Sequence, residues 1–306
     1  MLPKLTVDLE RQVVVKPDGT ELALPEWGVD PHRPDLFLQL NWMKSEWVTK
    51  NCSEKRQYAP TEEDFGRFLD CANANVNVYR PSRQTLNELV DLFDKRGYNL
   101  HIDAGEHYTN IPNYSDVHGG ETLEYRDSYF DPSKFEAFQL IDTINELGDR
   151  ANIFRPGVLG DRMRAGSNAT GLSLVGDNSF YVANPGGRAN EEQVRNSILH
   201  EFGHNLGLTH SGASAVKKPN SAYVPKYKSV MNYLYQFSHF DYSDQPYFAD
   251  TPEGKRFVPA DWDVLRLDNS RIGAYAESIG ARAHIEVAEV KADDIAPVRS
   301  EERRVG

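Results

Sequence analysis

The stretch HEFGHNLGLTH, residues 200–210, sets three histidines, a glutamate and a glycine at fixed offsets. The residues before it carry helix signals. Asn190 is a good N-cap, and Gln193 stands three positions on, the spacing of a capping box. Glu191 and Glu192 suit the positive end of a helix dipole. The pattern predicts a helix over 191–206, closed by Gly207 in the left-handed conformation. On a helical wheel Val194, Ile198, Phe202 and Leu206 form one apolar stripe, within which Arg195 also falls. His200 and His204 lie together on the opposite side, with Glu201 at the edge of their face.

Two imidazoles one turn apart can supply two ligands to a divalent ion, and zinc takes about four. A straight helix would carry His210 roughly 9 Å beyond His204, because six residues each rise about 1.5 Å. Gly207 allows a sharp turn that brings His210 back. Three histidines then leave a fourth position for water, the arrangement of a catalytic site. Average residue usage gives this whole pattern by chance on the order of once in ten thousand chains of this length or less, so accidental histidines are the weaker explanation.

The pattern H-E-x-x-H-x-x-G-x-x-H resembles the signature of the metzincin zinc endopeptidases. Ser229-Val230-Met231-Asn232-Tyr233, about twenty residues after His210, looks like their methionine turn. Its S-x-M-x-Y form is similar to astacins and serralysins, where the tyrosine hydroxyl reaches the metal site. Ser211 follows the third histidine, as in matrixins, and KPNSAYVPKYKSVMNYLYQF (218–237) resembles bacterial secreted metzincin-like proteins. The resemblance covers 190–233. It implies a metzincin-like zincin fold with a mixed twisted sheet, an active-site helix and an irregular C-terminal subdomain. It implies Zn2+ on His200, His204 and His210, Glu201 as general base, Met231 beneath the metal and Tyr233 as donor to the oxyanion. It also implies that an edge strand before the helix pairs with extended substrate, for which Gly171, Leu172, Ser173, Leu174 and Val175 are the candidates. The implied activity is endopeptidase action on a protein or peptide, by a secreted monomer. A zinc-containing binding protein without turnover, and a narrow-specificity processing protease or toxin, are the alternatives.

The rest of the chain suits an α/β (α+β) domain. Residues 35–43 and 98–103 read as strands, 82–96 as a helix capped by Ser82 and stopped by Gly97, and 133–147 as a further helix. ANIFRPGVLG holds a third strand, and 171–184 reads as a hairpin turning near Gly176-Asp177-Asn178. The segments 44–80 and 104–132 read as irregular, and a last helix is expected near 260–278. The expected organisation is one catalytic domain: an N-terminal subdomain to 207, a smaller one over 208–290 and a polar tail over 291–306. A net charge of −12 argues against nucleic acid as partner. No apolar stretch is long enough for membrane insertion, and the start, broken by charges, does not read as a signal peptide. Cys52 and Cys71 permit one disulfide or two thiols. Asp241, Asp244 and Asp250 are candidates for Ca2+, although no EF-hand spacing exists. His107 and His118 are candidates for a second metal, while His101 and Asp103, on one strand face, read as structural.

Overall fold

A computed structural model of the chain describes residues 6–8, 13–15, 19, 21–52, 61–213, 222–267 and 287–291. Strands β1 (Thr6–Asp8), β2 (Val13–Val15) and β3 (Glu21–Leu22) make a small antiparallel sheet. Strand β4 (Asp35–Met43) is central to the main sheet, and most of its residues are buried. Its apolar positions are nearly continuous because both faces are covered. Helices α1 (Glu46–Thr49) and α2 (Glu62–Ala72) follow, in a segment that the sequence presents as irregular. Thr61 caps α2 by accepting from the Asp64 amide at 3.1 Å, and the Cys52–Cys71 disulfide ties the helix back to the residues after α1. The apolar residues Phe65, Phe68 and Leu69 share one face of α2 and remain exposed.

Helix α3 (Arg83–Lys95) begins at Ser82, whose Oγ accepts from the Thr85 amide at 3.1 Å, and stops before Gly97, whose φ is +86°. Strand β5 (Asn99–Ala104) pairs parallel with β4. The loop expected over 104–132 holds two short strands, β6 (Tyr108–Thr109) and β7 (Gly120–Leu123). After α4 (Glu136–Asn145) come β8 (Phe154–Gly160) and the hairpin of β9 (Ala169–Leu174) and β10 (Phe180–Ala183), whose turn contains Gly176 at φ +69°. Helix α5 (Glu191–Asn205) follows. Beyond it stand the hairpin β11 (Tyr247–Thr251) and β12 (Gly254–Val258), a single 3-10 turn at Asp261–Asp263, and β13 (Val287–Lys291). The helix expected near 260–278 is therefore only that 3-10 turn as far as Leu267, and 268–278 lies outside the described residues. The tail expected from 291 lies outside them after Lys291.

The main sheet has eight strands, in the order β13-β9-β10-β8-β4-β5-β6, with β7 beside β4. Strands β10, β8, β4, β5 and β7 run parallel in their pairings, and β9 is antiparallel to β10, so the sheet is mixed. The edge strand expected over 171–175 is not an edge: β13 pairs antiparallel with β9 and is itself outermost. More than a hundred residues separate the two strands, and backbone pairing over that distance leaves no local pattern to read.

Helix α5 packs against β9, β10 and α3. Every residue from Asn196 to Asn205 is buried, so the histidine face is covered as fully as the apolar stripe. Arg195 falls outside that run: it pairs with Glu88 of α3 and lies 3.9 Å over the Phe240 ring. Phe93 of α3 joins the layers, its ring 5.7 Å from Phe202, 5.3 Å from Trp262 and 6.2 Å from Tyr242. Among the described residues no helix is long and apolar enough to cross a membrane.

Phe93 is fully buried where α3, α5 and the C-terminal residues meet. Phe93→Ala is expected to cost about 3–5 kcal/mol in urea unfolding, from lost burial and the cavity left. A loss below about 1 kcal/mol contradicts this account of the core.

Candidate metal centre

Both ends of α5 are fixed by local chemistry. At its start Asn190 Oδ1 accepts from the Gln193 amide at 2.9 Å, and Gln193 Oε1 accepts from the Asn190 amide at 3.0 Å, the reciprocal bonds of a capping box. At its end Gly207 has φ +89°. The Leu208 amide donates to Gly203 O at 3.0 Å and the Gly207 amide to His204 O at 2.9 Å, which is a Schellman motif. The chain then doubles back, because Thr209 and Gly212 exchange both backbone hydrogen bonds, at 2.9 and 3.0 Å. His210 and Ser211 form the tip of that turn. The rings of His200, His204 and His210 consequently face one another, with centroids 4.8–5.4 Å apart. One nitrogen from each lies within 4.8 Å of the others.

Hydrogen bonding decides which nitrogens converge. His200 Nδ1 is 2.8 Å from Val230 O, and His204 Nδ1 is 2.8 Å from Leu208 O. A carbonyl only accepts, so both Nδ1 atoms carry their protons and donate. Burial lowers the His200 pKa to about 4 and pushes His204 and His210 well below the usual imidazole value, with the neighbouring rings adding to the effect on both. The rings are therefore neutral at pH 7, and Nε2 of His200 and of His204 are both bare acceptors. They stand 3.1 Å apart. Two acceptors at that separation repel unless a cation lies between them. Nitrogens bound tetrahedrally at about 2 Å would stand roughly 3.3 Å apart, so the spacing fits one shared ion. His210 Nε2 is buried without a hydrogen-bond partner, which fits a third ligand. The three histidines could hold a metal ion, and the two carbonyls orient two of them as metal-ligating histidines are usually oriented.

Glu201, which follows His200 in the chain, is fully buried. Ser173 Oγ donates to Glu201 O at 3.0 Å and also contacts Oε2, while Oε1 has no hydrogen-bond partner. Burial pushes the Glu201 carboxyl well above its ordinary value, and the Ser173 bond pulls the other way. A Cβ at residue 171 would lie 2.0 Å from Glu201 Oε1, so only glycine leaves room for this carboxyl. Gly171 and Ser173 thus turn toward α5 rather than serving only as an outer rim. Leu172 and Leu174 are buried in the core, and Val175 is half-buried at the hairpin turn. Met231 is also fully buried, and a Cβ on Gly203 would lie 2.4 Å from its Sδ, so the sulfur packs on α5 between the two histidine turns. Tyr233 lies on the histidine side, its ring 4.3 Å from that of His210.

The other expected sites do not assemble. His101 Nε2 bonds Asp35 at 2.7 Å, and its ring stacks on Phe37. Asp103 accepts from the amides of Gly105, His118 and Gly119 and organises that loop. His107 Nε2 contacts Pro81 O at 3.0 Å, and His118 pairs with Asp116, so the two histidines have separate partners. Asp241 and Asp244 share Arg96, and Asp250 lies exposed in β11. Among the described residues His200, His204 and His210 form the one group of three metal-type side chains placed around a common point.

Several supporting contacts have no local sequence signal. The carbonyls of Val230 and Leu208 are backbone atoms, and the Ser173–Glu201 bond joins residues 28 apart. Compared with known proteins, the sequence matches no family model and no curated protein.

Because the imidazoles are already neutral well below pH 6.5, protons compete with the metal only in more acidic solution. Zn2+ affinity, measured by chelator competition, is expected to stay flat from pH 7.5 to about 5.5 and to fall as pH drops toward about 4. A steep fall already between pH 6.5 and 5.5, as for three histidines near pKa 6.5, contradicts the lowered values.

Proposed function

We propose that the chain is a zinc-dependent endopeptidase of the metzincin type that hydrolyses peptide bonds of proteins or peptides. The observation that supports this reading most is the convergence of His200, His204 and His210 beside the fully buried Glu201. Those three histidines would hold the ion. Bound zinc supplies Lewis-acid polarisation of a carbonyl oxygen and a more acidic water. Glu201 accepts a proton from the attacking water and passes it to the departing amine nitrogen. Oε1, which has no hydrogen-bond partner, is the atom that carries it, and Ser173 holds Oε2 in place. Burial raises the Glu201 carboxyl above its ordinary value, which makes it a stronger proton acceptor than a solvated carboxylate. Tyr233 donates its hydroxyl to the oxygen that gains charge as the carbonyl is attacked. Met231, in the role of the family methionine, supports the histidine turns from below. The Cys52–Cys71 disulfide suits an oxidising, extracellular setting.

Narrow specificity is the second reading, favoured by the pairing of β13 over the outer side of β9. A peptide-library cleavage profile separates it from broad proteolysis.

Glu201→Ala is expected to keep one zinc per chain while losing about 10²–10⁴ in cleavage rate, the usual worth of a general base. Tyr233→Phe is expected to lower kcat by about 10²–10³ with zinc content unchanged. Metal analysis and turnover on the best library peptide check both. Zinc-loaded wild type that cuts nothing in the library, or Glu201→Ala cutting at the wild-type rate, removes the reading.

A further inference from the structure

Strand β9 has two edges. One pairs with β10, and the other pairs with β13. The register sets Val287 opposite Leu174, Ala288 opposite Ser173, Glu289 opposite Leu172 and Val290 opposite Gly171. Ser173 and Gly171 are the two positions of β9 that contact Glu201. Paired strands lie about 4.8 Å apart. The backbone of 288–290 therefore passes one strand spacing from the residues against Glu201. An extended peptide can join a sheet by using the unpaired N–H and C=O groups of an outer strand. On β9 those groups are used by the chain itself. The pairing falls out of step between Val290 and Lys291, where Lys291 stands opposite Ala169. A bulge of that kind disrupts the ladder locally and marks the end at which pairing is most readily lost.

We propose that residues 287–291 act as an internal competitor strand, occupying the edge of β9 along which an extended polypeptide would reach the metal centre. The strand must leave before such a polypeptide can pair there. The purpose given to that edge rests on the endopeptidase reading, whereas its occupation rests on the strand register alone. Nineteen residues, 268–286, join Leu267 to β13. Because β13 belongs to the same chain, its pairing with β9 is intramolecular, so a separate peptide competes poorly while β13 is paired.

The test uses the full zinc-loaded chain carrying Glu201→Ala, so that turnover is suppressed on the timescale of the measurement. The probe is a fluorescein-labelled peptide of residues 284–292, HIEVAEVKA. Its affinity is compared with that for the same chain also carrying Ala288→Pro and Glu289→Pro. Adjacent prolines remove one N–H from each side of the strand. The expected result is at least about tenfold tighter binding to the proline chain. Amide exchange over 169–174 is expected to be slow in the parent and faster in the proline chain. Equal affinity, binding to neither chain, or unchanged exchange overturns the proposal. If the proline chain does not take up zinc, Val287→Gly with Val290→Gly replaces it, because glycine weakens a strand while keeping its donors. About threefold tighter probe binding is then expected, and no change overturns the proposal. A wild type that cleaves nothing sinks the endopeptidase reading and leaves this comparison intact.

Discussion

Two imidazole nitrogens with no proton on either stand 3.1 Å apart in a buried site. That is the constraint on which the region depends. Each ring has spent its one proton on a backbone carbonyl, and burial keeps the rings from taking a second. Acceptors facing each other without water cost free energy unless something positive lies between them. With a third imidazole nitrogen alongside, this arrangement could hold a cation.

Much of the surrounding architecture serves to hold those nitrogens. The Schellman turn at Gly207 returns the chain, and the backbone pair Thr209–Gly212 sets His210 at its tip. Asn205 ties the end of α5 to the β9–β10 hairpin by donating to Leu174 O and Ser179 O. The support for His200 comes from farther away. Asp261, buried beneath the 229–231 segment, accepts from the hydroxyls of Tyr227 and Ser229 and from the Ser243 amide. Ser229 Oγ in turn accepts from the Met231 amide at 3.2 Å. This fixes the segment whose Val230 carbonyl orients His200. Burial pushes the Asp261 carboxyl up to about 6, a cost offset by the hydrogen bonds it accepts.

The parts legible in the sequence are those with short-range causes. The capping box at Asn190, the turn at Gly207 and the cap at Ser82 each act over a few residues, and each stands where the sequence puts it. The histidine triad is legible because two ligands lie one helical turn apart and a glycine returns the third. What the sequence hides is set by long-range pairing. The cover of β13 on β9, the inward turn of Gly171 and Ser173 to Glu201, and the Asp261 network all join residues distant in the chain. Helix α2 also has short-range causes, which the reading of 44–80 as irregular passes over: Thr61 caps it, and Phe65, Phe68, Leu69 and Ala72 recur at helical spacing. Of the helix expected near 260–278, residues 261–263 form a 3-10 turn and 264–267 are not helical, the remainder lying outside the described residues.

The central claim is that three converging imidazoles bind one ion. Zinc-edge anomalous scattering from crystals of the zinc-loaded chain tests it most directly. The account predicts a single strong peak about 2.1 Å from Nε2 of His200, His204 and His210. A peak elsewhere, or none at that point after zinc loading, contradicts it.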